Sequence, residues 1–166
     1  MDIAAWIWFH RLELPPVRAH RLLEQFGAPE AIRDGDESDI RSATADLRPD
    51  TLQRLIDARG NTDVSRELDT LDRLGAIAIP YESSAYPACL KTIHDPPILL
   101  YARGDLVAED RMAVGIVGSR GSTHYGKAVA AQLSKDLANR GMTIISGLAR
   151  GIDTEVHVGA LKSGRT

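Results

Sequence analysis

The chain has 166 residues, with 20 basic and 23 acidic side chains, 43% hydrophobic and 26% charged residues. That balance excludes a disordered chain, and the length allows one domain or two small ones. A single cysteine, Cys89, excludes an internal disulfide and a multi-cysteine metal site.

The apolar stretches, such as residues 113–117, are far too short to span a bilayer. The run 3–9 follows Asp2 and has no basic residues before it and no small-residue cleavage site after it, so it reads as a helix rather than a signal peptide. A cytoplasmic location with no membrane partner is the expectation. Charge is uneven: residues 1–74 carry 10 basic and 15 acidic groups, residues 75–166 carry 10 and 8. An anion-binding surface therefore belongs in the second half. The 16 arginines against 4 lysines suit bidentate phosphate contact, although a GC-rich coding sequence explains most of that bias.

Residues 1–74 read as helices. Ile3, Ile7, Phe9 and Leu12 begin one apolar face, and Val17, Leu22, Leu23 and Phe26 form a second, closed by Gly27. Pro29 opens a short third helix, 34–39 reads as a polar loop, and 47–59 and 62–74 give two more helices. The period changes at Gly75. Strands are expected at 76–80, 98–104 and 113–118, the last apolar throughout, as a strand buried on both faces should be. A helix over 125–140, a strand over 143–147 and a helix over 152–162 follow. The alternation from 113 onward is that of a parallel, doubly wound α/β sheet.

Two strand-to-helix turns carry the chemistry. The first runs from Gly118 through Ser119, Arg120, Gly121, Ser122 and Thr123 to Gly126. Free N–H groups at such a turn and the positive end of the helix dipole together attract phosphate. Gly118 and Gly121 are expected to permit close backbone approach, the hydroxyls to donate, and Arg120 to supply a planar positive fork. The second turn repeats the logic with Ser146, Gly147, Arg150 and Gly151, where Asp153 or Ser146 is expected to cap backbone amides. Consecutive parallel strands bring both turns to the same carboxyl edge, where open α/β sheets bind ligands.

Other readings fail on the residues. Gly121 to Lys127 matches a P-loop core, but Ala128 stands where Ser or Thr must hold Mg²⁺. The dinucleotide fingerprint lacks its first glycine and its acidic residue. Asp153 and His157 lie one helical turn apart and read as a capping pair rather than acid–base machinery. No histidine shows metal-ligand spacing, so no catalytic residue, metal or cofactor is expected. Cys89 is expected to be packed, and Tyr125 to lie against its own helix, which leaves no aromatic platform and a phosphate-led contact.

The segments Tyr86-Pro87, 93–97, Leu100-Tyr101, Arg103-Gly104, Gly118-Ser119-Arg120, Tyr125-Gly126 and 146–153, with His157, resemble the DprA/Smf family of bacterial DNA-processing proteins. The resemblance is strong over 62–166 and loose before it. It implies a helical, SAM- or helix-hairpin-helix-like domain over 1–74 and part of a Rossmann-like domain over 75–166. It also implies a non-enzymatic protein of natural transformation (competence) and DNA recombination. Such a protein binds single-stranded DNA, forms a homodimer and loads the recombinase RecA. The family's DNA pocket falls here on Gly118, Ser119, Arg120, Ser122, Gly126, Ser146, Gly147, Arg150 and Gly151.

Two departures accompany it. The family's next strand is due where the sequence reaches Thr166, so the chain reads as a fragment of a longer pattern, with an uncovered sheet edge beyond 143–147. The segment 14–27 resembles a helix-hairpin-helix unit, but Pro15 and Pro16 lack the N–H groups that grip phosphate, so it reads as a structural element or a protein contact. The rival readings are a phosphoribohydrolase-like nucleotide enzyme of the same fold, whose Pro-Gly-Gly-x-Gly-Thr turn is missing from residues 1–166, and an inactive fragment.

Overall fold

A computed structural model describes all 166 residues. They form two compact units, Met1–Gly104 and Asp105–Thr166.

The first unit holds six helices in succession: α1 (Ile3–His10), α2 (Pro16–Phe26), α3 (Pro29–Asp34), α4 (Glu37–Ala43), α5 (Pro49–Arg59) and α6 (Ser65–Leu74). Helix α1 is the core of the unit. Ala5 through Phe9 are all buried, and the Trp8 indole still satisfies its N–H by donating to the Ala58 carbonyl at 2.9 Å. A helix buried on every side has no polar stripe to show in its sequence. Pro16, Pro29 and Pro49 each open a helix, where a missing N–H costs nothing.

The polar loop expected at 34–39 is corrected: Asp36 caps α4 through the Ser38 N–H at 2.8 Å, so the helix begins at Glu37. Its acidic first turn complements the helix dipole, and Ile40 anchors it in the core.

Strands β1 (Ala76–Pro80) and β2 (Leu99–Arg103) pair antiparallel, Ala76 opposite Arg103 and Pro80 opposite Leu99. Between them lies a long connection carrying the short helix α7 (Ala88–Lys91). Three contacts pin it. The Tyr86 hydroxyl donates to the Pro97 carbonyl at 2.7 Å, His20 meets the Pro96 carbonyl at 2.8 Å, and Lys91 lies over the Tyr81 ring at 4.7 Å. Ile98 and Leu99 join Trp6, Phe9 and Leu22 in one core, so residues 75–104 pack with the helices. Cys89 is exposed, not packed as expected, and no residue of the four-residue helix α7 is buried.

The second unit opens with a 3-10 turn, Ala108–Arg111, followed by β3 (Ala113–Gly115), α8 (His124–Ala138), β4 (Thr143–Ile145) and α9 (Ile152–Ala160). Strands β3 and β4 pair in parallel, Ala113 with Thr143 and Gly115 with Ile145. This is the expected strand–helix–strand–helix order. Helices α8 and α9 pack on each other and on β4 around Ala130, Ala138, Ile144, Val156 and Ala160. Gly159 makes the approach possible, since a β-carbon there would collide with Ser134 and the Ala131 backbone.

Two expectations about this sheet are corrected. Burial of 113–118 on both faces does not occur. The helices cover only the face carrying Val114, Ile116 and Ile144, and Val117 and Ile145 on the other are 79% and 54% exposed. The edge beyond β4 is not bare at its centre: the Ile144 N–H donates to the Arg165 carbonyl at 3.0 Å, and the Thr166 hydroxyl donates to the Ile144 carbonyl at 2.7 Å.

Candidate nucleic-acid interface

The two turns leave the carboxyl ends of β3 and β4, and the structure brings them into direct contact. The Ile152 N–H donates to the Ser119 carbonyl at 3.2 Å. Gly151 has φ +94°, and a β-carbon on it would clash with the Ser119 and Arg120 carbonyls. Gly118 faces Ile152 so closely that a β-carbon would lie 2.7 Å from that side chain. The missing side chain of Gly118 makes room for Ile152. A β-carbon on Gly121 would meet only the Ser119 hydroxyl, at an ordinary 4.0 Å.

Each turn is held internally. The Ser119 hydroxyl oxygen accepts from the Gly121 N–H at 3.1 Å. Thr123 caps α8 by accepting from the Gly126 N–H at 3.1 Å, and Gly126 itself leaves little room for a side chain beside that hydroxyl. In the second turn the Ser146 hydroxyl donates to the Ile116 carbonyl at 2.6 Å, tying the end of β4 to β3. Asp153, only 5% exposed, accepts from the Gly147 N–H at 3.1 Å through a carboxylate oxygen. The capping role expected of Asp153 is therefore realised toward Gly147. The expected Asp153–His157 pair is not formed: His157 Nδ1 meets the Thr166 hydroxyl at 2.6 Å.

What remains open to a ligand is mostly positive. The backbone N–H groups of Gly118, Ser119, Arg120 and Ser122 in the first turn, and of Leu148, Ala149 and Arg150 in the second, have no acceptor within the chain. The Ser122 hydroxyl is buried and unpartnered. The ion-paired arginines are Arg11, Arg18, Arg21, Arg33, Arg41 and Arg165; Arg120 and Arg150 are not among them, and both are exposed. Free amides at the head of a helix with an adjacent guanidinium favour an anion. No group of three or more His, Cys, Asp or Glu side chains gathers to hold a metal ion.

Tyr125 departs from expectation. It stands 78% exposed in the first turn of α8 instead of lying against the helix, because small residues on the opposite face of α8 make the contact with α9. Leu148 was not singled out by sequence reasoning. It has φ +54° and is 84% exposed, and an apolar residue between glycine and alanine gives no signal of either property.

The family model described as DNA recombination-mediator protein A matches residues 77–166. DNA processing protein DprA of Bacillus subtilis is 45% identical over 94 residues, 55% of this chain and 32% of that protein. Protein Smf of Escherichia coli is 42% identical over 84 residues, 51% of this chain and 22% of that protein. The chain thus spans about a third or less of the length of these curated relatives. The crystal structure of DNA processing protein A from Streptococcus pneumoniae superposes with a TM-score of 0.72 at 23% identity, covering 100% of this chain and 56% of that one. That likeness establishes the Rossmann-like fold. No helix is long and apolar enough to cross a membrane.

Proposed function

The chain belongs to the DNA recombination-mediator protein A (DprA/Smf) family, and on that premise we propose that its second unit binds single-stranded DNA at the paired turns. The observation that carries the reading is the contact of Gly151 with the Ser119 and Arg120 carbonyls, which makes one surface of two amide-rich turns. Gly118, Gly126, Ser146, Gly147 and Gly151 shape that surface. Ser119, Ser122, Arg120 and Arg150 stand at it as donors. The amides, hydroxyls and guanidinium groups of the turns make the phosphate part of the contact.

The role follows from the ligand. A cytoplasmic, non-enzymatic mediator that coats incoming single strands in natural transformation and hands them to RecA, acting as a homodimer, fits a surface lined with phosphate donors. No cofactor enters this reading. The test is direct. Fluorescence anisotropy with a labelled single strand and the matching duplex should give tighter binding to the single strand. RecA filament assembly on that strand, followed by light scattering, should accelerate when the chain is added. Equal affinity for both DNAs would refute the first claim, and unchanged assembly the second.

A further inference from the structure

Large apolar side chains border the two turns. Val117 precedes Gly118, Tyr125 stands in the first turn of α8, and Leu148 follows Gly147; they are 79%, 78% and 84% exposed. Of these, Leu148 carries the argument. Its φ of +54° lies in the left-handed region, where the β-carbon crowds the backbone and where glycine or asparagine sits at less cost. A leucine held there normally repays the strain by burying its side chain. This one buries almost nothing, and the turn beneath it is fixed by the Asp153 carboxylate on the Gly147 N–H and by the Ser146 hydroxyl on the Ile116 carbonyl. Strain that persists on a rigid support without an internal contact marks a group kept for something outside the chain.

The surroundings define what that is. The N–H groups of Leu148, Ala149 and Arg150 have no acceptor in the chain, and Arg150 is exposed two residues on. A ligand that meets this turn presents negative oxygen and apolar surface a few ångströms apart. An unpaired nucleotide does so, with its phosphate beside the bare face of its base. A duplex presents the same phosphates with its base faces hidden in the stack.

We propose that Leu148, with Val117 and Tyr125 at the border of the same paired turns, packs against the faces of unpaired bases and is what makes the surface prefer single strands. The proposal rests on the DNA-binding reading above and adds to it the part of the ligand that phosphate donors cannot distinguish. Arg120 and the free amides hold the backbone of the strand, and Leu148 holds its bases.

An abasic strand separates the two contributions, because it keeps every phosphate and removes every base. Wild-type chain is titrated against a labelled oligothymidine and an abasic strand of equal length, beside Leu148→Asn and Leu148→Gly. Both substitutions suit a left-handed backbone, so neither strains the turn, and circular dichroism melts check that both fold. The wild type should bind the oligothymidine about ten-fold more tightly than the abasic strand. Both variants should shrink that ratio to about two-fold or less by losing affinity for the oligothymidine alone. A ratio that survives in both folded variants overturns the role of Leu148 and leaves DNA binding intact. A wild type that binds neither strand overturns the DNA-binding reading itself, and this proposal with it.

Discussion

Gly151 and Ser119 belong to different strand-to-helix turns, yet the backbone of one rests on the carbonyl of the other, leaving no space for a β-carbon between them. The surface proposed to hold DNA therefore depends on a contact between backbones, in which neither side chain takes part.

Gly151→Ala should consequently cost more than an alanine at another left-handed glycine. Gly141, φ +81°, provides the comparison, because open space surrounds it. Gly141→Ala should cost the backbone preference alone, about 1 kcal/mol. Gly151→Ala should cost at least about twice that and should also abolish DNA binding, because the turns must part. Thermal melts and anisotropy on both variants check this; equal losses of stability would mean that the turns separate freely.

Arg120→Ala should weaken single-strand binding about ten-fold or more, the worth of a charge-assisted contact of roughly 1.5–3 kcal/mol. Arg103→Ala and Arg140→Ala, which remove exposed charges at the end of β2 and beyond α8, should change it less than about two-fold. Binding of the wild type should fall steeply as salt rises, and Arg120→Ala should flatten the slope. Equal losses in all three variants would mean diffuse attraction without a site.

Asp110 gives the second unit an acid-sensitive joint. Arg165 grips both of its carboxylate oxygens, Nε at 2.6 Å and Nη2 at 2.9 Å, while the Val107 N–H and the Thr143 hydroxyl also donate to it. The Arg165 hydrogen bonds lead in holding the carboxyl well below the usual carboxylate range. A carboxyl whose folded value is depressed stabilises the fold fully above its unfolded value of about 4, and that stabilisation is lost as pH falls below it. The wild type should therefore lose thermal stability on acidification from about pH 5 to pH 3. Asp110→Asn should start lower at neutral pH and show a shallower fall. Parallel pH profiles for the two proteins would exclude this joint as a source of acid sensitivity.

Asp153→Ala should loosen the second turn by stripping the Gly147 N–H of its acceptor. Leaving such a group unsatisfied costs about 1–3 kcal/mol. Amide exchange at Gly147 should accelerate in the variant while α8 stays protected. Unchanged exchange at Gly147 would show that the carboxylate is dispensable to the turn.

The second unit was legible in the sequence because its chemistry is local. Glycines, hydroxyls and arginines at the ends of two apolar strands place both turns on one edge of a parallel pair, and the pair is there as expected. What the sequence concealed depends on partners distant along the chain. That Gly118 also makes room for Ile152 is invisible without the fold. Helix α4 hides in an acidic run because its only strong apolar anchor is Ile40. Tyr125 and Leu148 show no periodic signal of exposure, since apolar residues are read by default as buried.

The core beneath β1 and β2 has a consequence for how this chain can be divided. The match to the family model begins at residue 77, whereas the packed body containing β1 and β2 runs from Met1 to Gly104. That match and the packing thus cut the chain at different places. Transplanting 77–166 into another host would strip Ile98 and Leu99 of Trp6, Phe9 and Leu22, the neighbours that keep them dry. A graft beginning at Asp105 would carry both turns and leave that core whole.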